Sequence, residues 1–317
     1  MKNAATFFWL LILLISGCTA KKTSSNPYLE HGEGFVEVEG GKIWYGIMGE
    51  GDSTPLLCLH GGPGGTSKSY YNLSEIAKER PVIMFDQLGT GRSHHHQDTA
   101  LLKVEKFVEQ VKAIKTALNL NEFYIVGGSW GAALALEYYI QYPEGIKAII
   151  FNSPYFSTKI WTDDAAKLVA ALPDSIQSAI RIAERDSVFD SDSYTAADNY
   201  FASLHGRRKA FAKHPYDTVE SKGNTFIYNY MWGPSEFTAT GTLRDYDNHQ
   251  NLKNVTIPAL FTTGEFDEAR PETVEKLSQL TRNSKFLLIP EAGHSTLNDN
   301  KPAMLIAIRE FLKSQEK

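Results

Sequence analysis

Cysteine is nearly absent: the 317 residues hold two, Cys18 and Cys58. Cys58 stands inside the apolar run Leu56-Leu57-Cys58-Leu59. If Cys18 is committed elsewhere, no disulfide can form and the fold must rest on its apolar core, which a chain this long can supply. An excess of positive charge is also missing. Lys and Arg number 32 against 37 Asp and Glu, for a net charge of −5, so no nucleic-acid partner is expected. The apolar run Phe7–Ile15 has nine residues, far short of the ~20 that span a bilayer as a helix. There is no internal repeat. The run His94-His95-His96 puts its imidazoles side by side, whereas metal ligands converge from spaced positions. Neither a metal nor a cofactor is expected.

What is present begins at the N-terminus. Lys2 precedes the apolar run and Ser16-Gly17-Cys18 follows it, which is the pattern of a signal peptide over residues 1–17. The ending Ile15-Ser16-Gly17-Cys18 resembles a bacterial lipoprotein box, in which the cysteine becomes the lipidated first residue. The expectation is an exported protein anchored to the membrane through lipid on Cys18, on the periplasmic side. Thr19 in place of an aspartate leans towards the outer membrane. Residues 18–30 are polar and read as a tether.

From residue 31 the chain alternates short apolar runs with helical patterns. Phe35–Glu39 and Lys42–Ile47 alternate around Gly40-Gly41 as a hairpin. Pro55–Leu59, Pro81–Phe85, Phe123–Val126, Ile146–Phe151, Pro258–Gly264 and Lys285–Ile289 read as buried strands. Ser69–Glu79, Val104–Leu118 and Ala303–Leu312 read as helices. Alternation of this kind predicts an α/β fold, a mostly parallel sheet with helices on both faces. From Pro154 to about Asn251 the strands disappear and aromatics accumulate. This predicts a helical cap over 155–250, inserted between core segments 31–154 and 251–317, with most of the aromatics forming the cap's own core.

The stretch organising the chain is Phe123-Tyr124-Ile125-Val126-Gly127-Gly128-Ser129-Trp130-Gly131-Ala132. A buried strand, a glycine-flanked serine and then helix formers make a nucleophile elbow. Serine needs a base to take its proton and the base needs a group to fix its tautomer. In chain order Ser129, Asp267 and His294 follow the nucleophile–acid–base sequence of α/β-hydrolases, each at the carboxyl end of a strand. Asp86 belongs to a turn and precedes the elbow, which ranks it below Asp267 as the acid. Acyl transfer also needs donors for an oxyanion. The N–H of Trp130 is one, and the N–H of Gly62, in the turn His60-Gly61-Gly62-Pro63, is the other.

His-Gly-Gly-Pro-Gly, Asp-Gln-x-Gly-x-Gly-Arg-Ser, Gly-Gly-Ser-Trp-Gly and Gly-Glu-Phe-Asp-Glu together resemble the proline iminopeptidases, serine aminopeptidases of the α/β-hydrolase fold. Over residues 30 to 315 the likeness is to the branch that includes the tricorn-interacting aminopeptidase. It implies the triad Ser129, Asp267 and His294, with oxyanion donors Gly62 and Trp130. It further implies that Glu236, in Gly233-Pro234-Ser235-Glu236-Phe237, and Glu268 grip the free amine of a short peptide. Tyr228 and Trp232 are then expected to line the proline pocket. The implied activity is release of an N-terminal residue, preferably proline, through an acyl-enzyme. The alternative is another α/β-hydrolase, an esterase, lactonase or amidase acting on a small substrate.

Overall fold

The computed structural model describes residues 25–211, 213 and 222–316. The signal peptide, Cys18 and the first part of the tether lie outside the described residues. Eight strands form one sheet: β1 (Gly32–Val38), β2 (Gly41–Met48), β3 (Leu56–Leu59), β4 (Val82–Phe85), β5 (Phe123–Gly128), β6 (Ile146–Asn152), β7 (Ala259–Gly264) and β8 (Ser284–Ile289). Their order is β1-β2-β4-β3-β5-β6-β7-β8. The expected hairpin β1–β2 is antiparallel, and so is β2 against β4; every other pair is parallel.

Strand periodicity sorts the side chains to the two faces. Leu57, Leu59, Ile83, Phe85 and Ile125 face one core, which α1 (Val104–Ala117) and α2 (Trp130–Gln141) cover. Leu56, Cys58, Val82, Met84 and Val126 face the other, covered by Ser67–Lys78 and the C-terminal helix. Coverage on both faces is why these strands read as unbroken apolar runs. Ser67–Lys78 is 3₁₀ rather than α-helical. Its buried residues Tyr70, Leu73 and Ile76 recur every third position, and a three-residue turn stacks them on one face.

Between β6 and β7 lie α3 (Thr158–Ala170), α4 (Asp174–Asp186), α5 (Asp192–Phe201) and α6 (Thr225–Met231). Leu172, Ile180, Tyr194, Phe201 and Phe237 form a separate apolar cluster there. The aromatics of this segment divide, however. Tyr155, Phe156, Trp161 and Trp232 join the main core instead, with Tyr155 edge-on to Trp232 at 5.4 Å and Trp161 to Trp232 at 6.2 Å. After β7, Pro271 starts α7 (Pro271–Ser278), where a missing N–H costs nothing. The short α8 (Thr296–Asp299) leads into α9 (Lys301–Ser314), capped by Asn300 Oδ1 accepting from the Ala303 amide. Among the described residues no helix is long and apolar enough to cross a membrane.

Candidate active site

β5 leads straight into α2, and Ser129 is the hinge. Its φ of 54° and ψ of −124° are a conformation that residues with side chains rarely adopt, a strain typical of functional positions. The flanking glycines permit it by close approach. A Cβ on Gly131 would stand 1.9 Å from the Leu59 carbonyl oxygen, and one on Gly127 would stand 2.2 Å from that of Gly131. The Ser129 amide donates to the Asn152 carbonyl on β6 at 3.1 Å, which fixes the turn against the next strand.

Ser129 opens into a cavity of about 180 Å³, shared with Gly61, Gly62, Tyr70, Asn152, Phe211, Glu236 and His294. The imidazole of His294 donates from Nδ1 to Asp267 Oδ1 at 2.8 Å. Asp267 is buried and its carboxylate is fully engaged: Oδ2 accepts from Thr263 Oγ1 at 2.9 Å and the Gly264 amide at 3.2 Å, and Oδ1 accepts from the Ala269 amide at 2.8 Å. Such an acceptor holds Nδ1 protonated and leaves Nε2 free as a base. The backbone of the His294 loop is pinned as well. The amides of His294 and Ser295 donate to the carbonyls of His205 and Gly206 at 2.8 and 2.9 Å, and Ser153 Oγ donates to the His294 carbonyl at 3.2 Å.

Trp130 is the first residue of α2, so its N–H belongs to those without an intrahelical partner. Gly62, with φ +117°, lines the cavity in the turn after β3. Gln87, whose role the sequence did not reveal, joins Trp130 to His60 at the start of the turn that carries Gly62. Its Oε1 accepts from Trp130 Nε1 at 3.1 Å, and its Nε2 donates to the His60 carbonyl at 3.0 Å. His60 is structural. Its Nε2 accepts from the Gln87 amide while Nδ1 donates to the Gly61 carbonyl, and burial holds its pKa below the usual range. Asp86 accepts from the Ser67 amide and hydroxyl and from the Arg92 amide, so it organises the turn that presents Gln87.

Two glutamates complete the site. Glu236 lines the cavity and its Oε1 accepts from Tyr228 Oη at 2.7 Å. Glu268 is buried beside the base, with Oε1 3.8 Å from His294 Nδ1 and Oε2 without a hydrogen-bond partner among the described residues. Trp161 links Glu236 to the base: its Nε1 donates to the Glu236 carbonyl at 2.9 Å and its ring meets the His294 ring edge-on at 5.5 Å. Trp232 lies in the core, where its Nε1 donates to the Ser235 carbonyl and so braces the turn carrying Glu236. Burial pushes the carboxyl of Glu236 up; it pushes that of Glu268 up further, aided by the charge of Glu236. For His294, burial pulls down, but the charges of Asp267, Glu268 and Glu236 outweigh it and raise the imidazole to about 10. The unliganded cluster therefore holds a proton at neutral pH. The rings of His94, His95 and His96 are occupied by separate backbone groups, at Gly40, Gly91 and Asp98.

The α/β hydrolase fold family matches residues 54–301. A proline iminopeptidase of Heyndrickxia coagulans is 41% identical over 287 residues, covering 89% of this chain and 99% of that one. One from Lactiplantibacillus plantarum is 33% identical, covering 87% and 99%. Among solved structures, a proline iminopeptidase of Mycobacterium smegmatis superposes with a TM-score of 0.80 at 27% identity, covering 89% of this chain and 98% of its own.

Proposed function

The chain belongs to the proline iminopeptidases of the α/β-hydrolase fold, and from that premise we propose which of its residues carry the reaction. The enzyme releases N-terminal proline from peptides. Ser129 Oγ attacks the carbonyl of the first residue while His294 Nε2 takes its proton, and Asp267 holds the imidazolium that forms. The N–H groups of Gly62 and Trp130 receive the oxyanion. His294 then protonates the departing amine, and water, activated by the same base, releases the acyl group from Ser129.

Glu236 and Glu268 receive the ammonium of the substrate. A buried carboxylate without a partner is costly, and Glu268 Oε2 is one such atom; a cation supplied by the substrate removes that cost. Tyr228 orients Glu236 through its hydroxyl. The observation that carries the reading is one cavity holding Ser129, Glu236 and a His294 already paired with Asp267. The test compares proline, alanine and leucine p-nitroanilides with p-nitrophenyl acetate and with N-acetyl-proline p-nitroanilide. Cleavage of the free-amine proline substrate, abolished by acetylation and by Ser129→Ala, is expected. Ester cleavage indifferent to a free amine would leave a general hydrolase of this fold.

The proposal extends to location: residues 1–17 direct export and lipid on Cys18 tethers the enzyme to the membrane. The N-terminal sequence pattern supports this. Fractionation tests it, since Cys18→Ser should move the protein to the soluble fraction, and an unchanged distribution would refute it.

A further inference from the structure

Glu236 lines the cavity, and Asp267 and Glu268 are buried beside His294. Phe211, which also lines the cavity, ends a short basic strap that carries Arg207, Arg208 and Lys209. This strap is fixed to the catalytic loop rather than loosely draped. The Gly206 carbonyl accepts from the Ser295 amide, and Asp299 accepts from the amides of Arg208 and Lys209 at 2.9–3.2 Å. Asn298 Nδ2 donates to the Lys209 carbonyl at 2.7 Å.

Two of the three cationic heads are already engaged. The Arg208 guanidinium lies over the Phe266 ring at 4.0 Å and donates to the Leu204 carbonyl, and Lys209 Nζ donates to the Asp299 carbonyl. Arg207 differs. Its guanidinium lies 4.3 Å over the ring of Phe211, a residue lining the same cavity as Ser129 and His294, and no ion pair with a described residue holds it. Its backbone follows directly on the Gly206–Ser295 hydrogen bond, one residue from the catalytic histidine.

The geometry points to Arg207 as a carboxylate-binding residue on the leaving-group side, which selects short peptides ending in a free carboxylate. The inference rests on the aminopeptidase reading, because it needs the ammonium seated at Glu236 and Glu268. With the amine held there, the carboxylate of a dipeptide falls about 4 Å beyond the scissile carbonyl, and each added residue moves it by about 3.3–3.6 Å. Di- and tripeptides are the lengths whose carboxylate this spacing carries towards Phe211 and the guanidinium stacked on it. An arginine stacked on an aromatic ring is also pre-organised for a planar carboxylate.

The experiment measures kcat/KM for Pro-Ala, Pro-Ala amide, Pro-Asp amide and proline p-nitroanilide, in the wild type and in Arg207→Gln. The expected wild-type preference for Pro-Ala over its amide is about fivefold, the size of a partly exposed ion pair, and it should shrink with added salt. Arg207→Gln should bring the ratio close to that of two neutral leaving groups while proline p-nitroanilide cleavage stays unchanged. Pro-Asp amide separates the two sources of carboxylate. If it matches Pro-Ala, an acidic side chain serves equally and selection for a free C-terminus is overturned. A ratio unmoved by Arg207→Gln, or an equal loss on every substrate, overturns the role of Arg207. Failure to cleave any proline substrate would instead overturn the aminopeptidase reading beneath it.

Discussion

Replacing Glu268 by glutamine keeps the shape of the side chain and removes one charge beside the base. Glu268 Oε1 is 3.8 Å from His294 Nδ1. At that distance two unit charges interact by about 4 kcal/mol for an effective dielectric of about 20. Each 1.36 kcal/mol is tenfold in proton affinity, so full removal of such a charge corresponds to roughly three pH units. Burial pushes the Glu268 carboxyl itself up, which makes that figure an upper bound. The sign follows from the direction of the shift. With its pKa raised to about 10, His294 is protonated below that pH in the unliganded enzyme, and its base form appears only as pH rises through it. Glu268→Gln moves that limb to lower pH. The assay is kcat/KM against pH for p-nitrophenyl acetate, which has no amine to occupy the glutamates. The ester rate at neutral pH should rise, while the KM for proline p-nitroanilide also rises because its ammonium loses a partner. Opposite responses of the two substrates are the signature. An ester limb that stays in place, or a parallel fall in both activities, would refute the electrostatic account.

Tyr228→Phe deletes the donor to Glu236 Oε1; loss of a charge-assisted hydrogen bond should raise KM for proline p-nitroanilide about tenfold, with the ester rate as the control that stays level. Gln87→Ala strands the indole N–H of Trp130 and the His60 carbonyl in a buried site, at about 1–3 kcal/mol for each unmet group; calorimetry should show a lower Tm together with a reduced kcat. Gly131→Ala would press a Cβ to 1.9 Å from the Leu59 carbonyl oxygen, so soluble yield and Tm should both fall, and a variant of wild-type stability would disprove the close-approach argument.

Much of the fold was legible because both faces of the sheet are covered. Runs such as Leu56–Leu59 and Val82–Phe85 are buried along their whole length, and glycines at strand ends punctuate them. The elbow was legible for a steric reason, since the contacts at Gly127 and Gly131 leave no room for side chains. The Asp267–His294 pair followed from chain order and from loops at strand ends. What stayed hidden runs between segments distant in sequence. The carbonyls of His205 and Gly206 hold the His294 loop, and backbone groups carry no residue signature. The bridge by Gln87 joins positions 27 and 43 residues apart, so its motif was visible but its partners were not. Trp232 was expected in a proline pocket; its indole N–H donates to the Ser235 carbonyl three residues on, inside the core. Composition made it an aromatic of the inserted segment; only tertiary packing decides which core receives it.

The same charges rank the two kinds of selectivity the site can exert. A peptide with a blocked N-terminus brings no cation to Glu236 and Glu268, and it would bury Glu268 Oε2 still unpartnered. Sites built around buried polar groups reject ligands that leave those groups unpaired by factors of about 10⁴ or more, whereas apolar pockets separate side chains differing by a methylene by only about 10–200. On the proposed reading the first residue is recognised by apolar contacts of the second kind. The demand for a free amine should therefore exceed the preference for proline over alanine. On that reading a carboxylate cluster that needs a cation, more than a pocket that fits a ring, would make this hydrolase an exopeptidase.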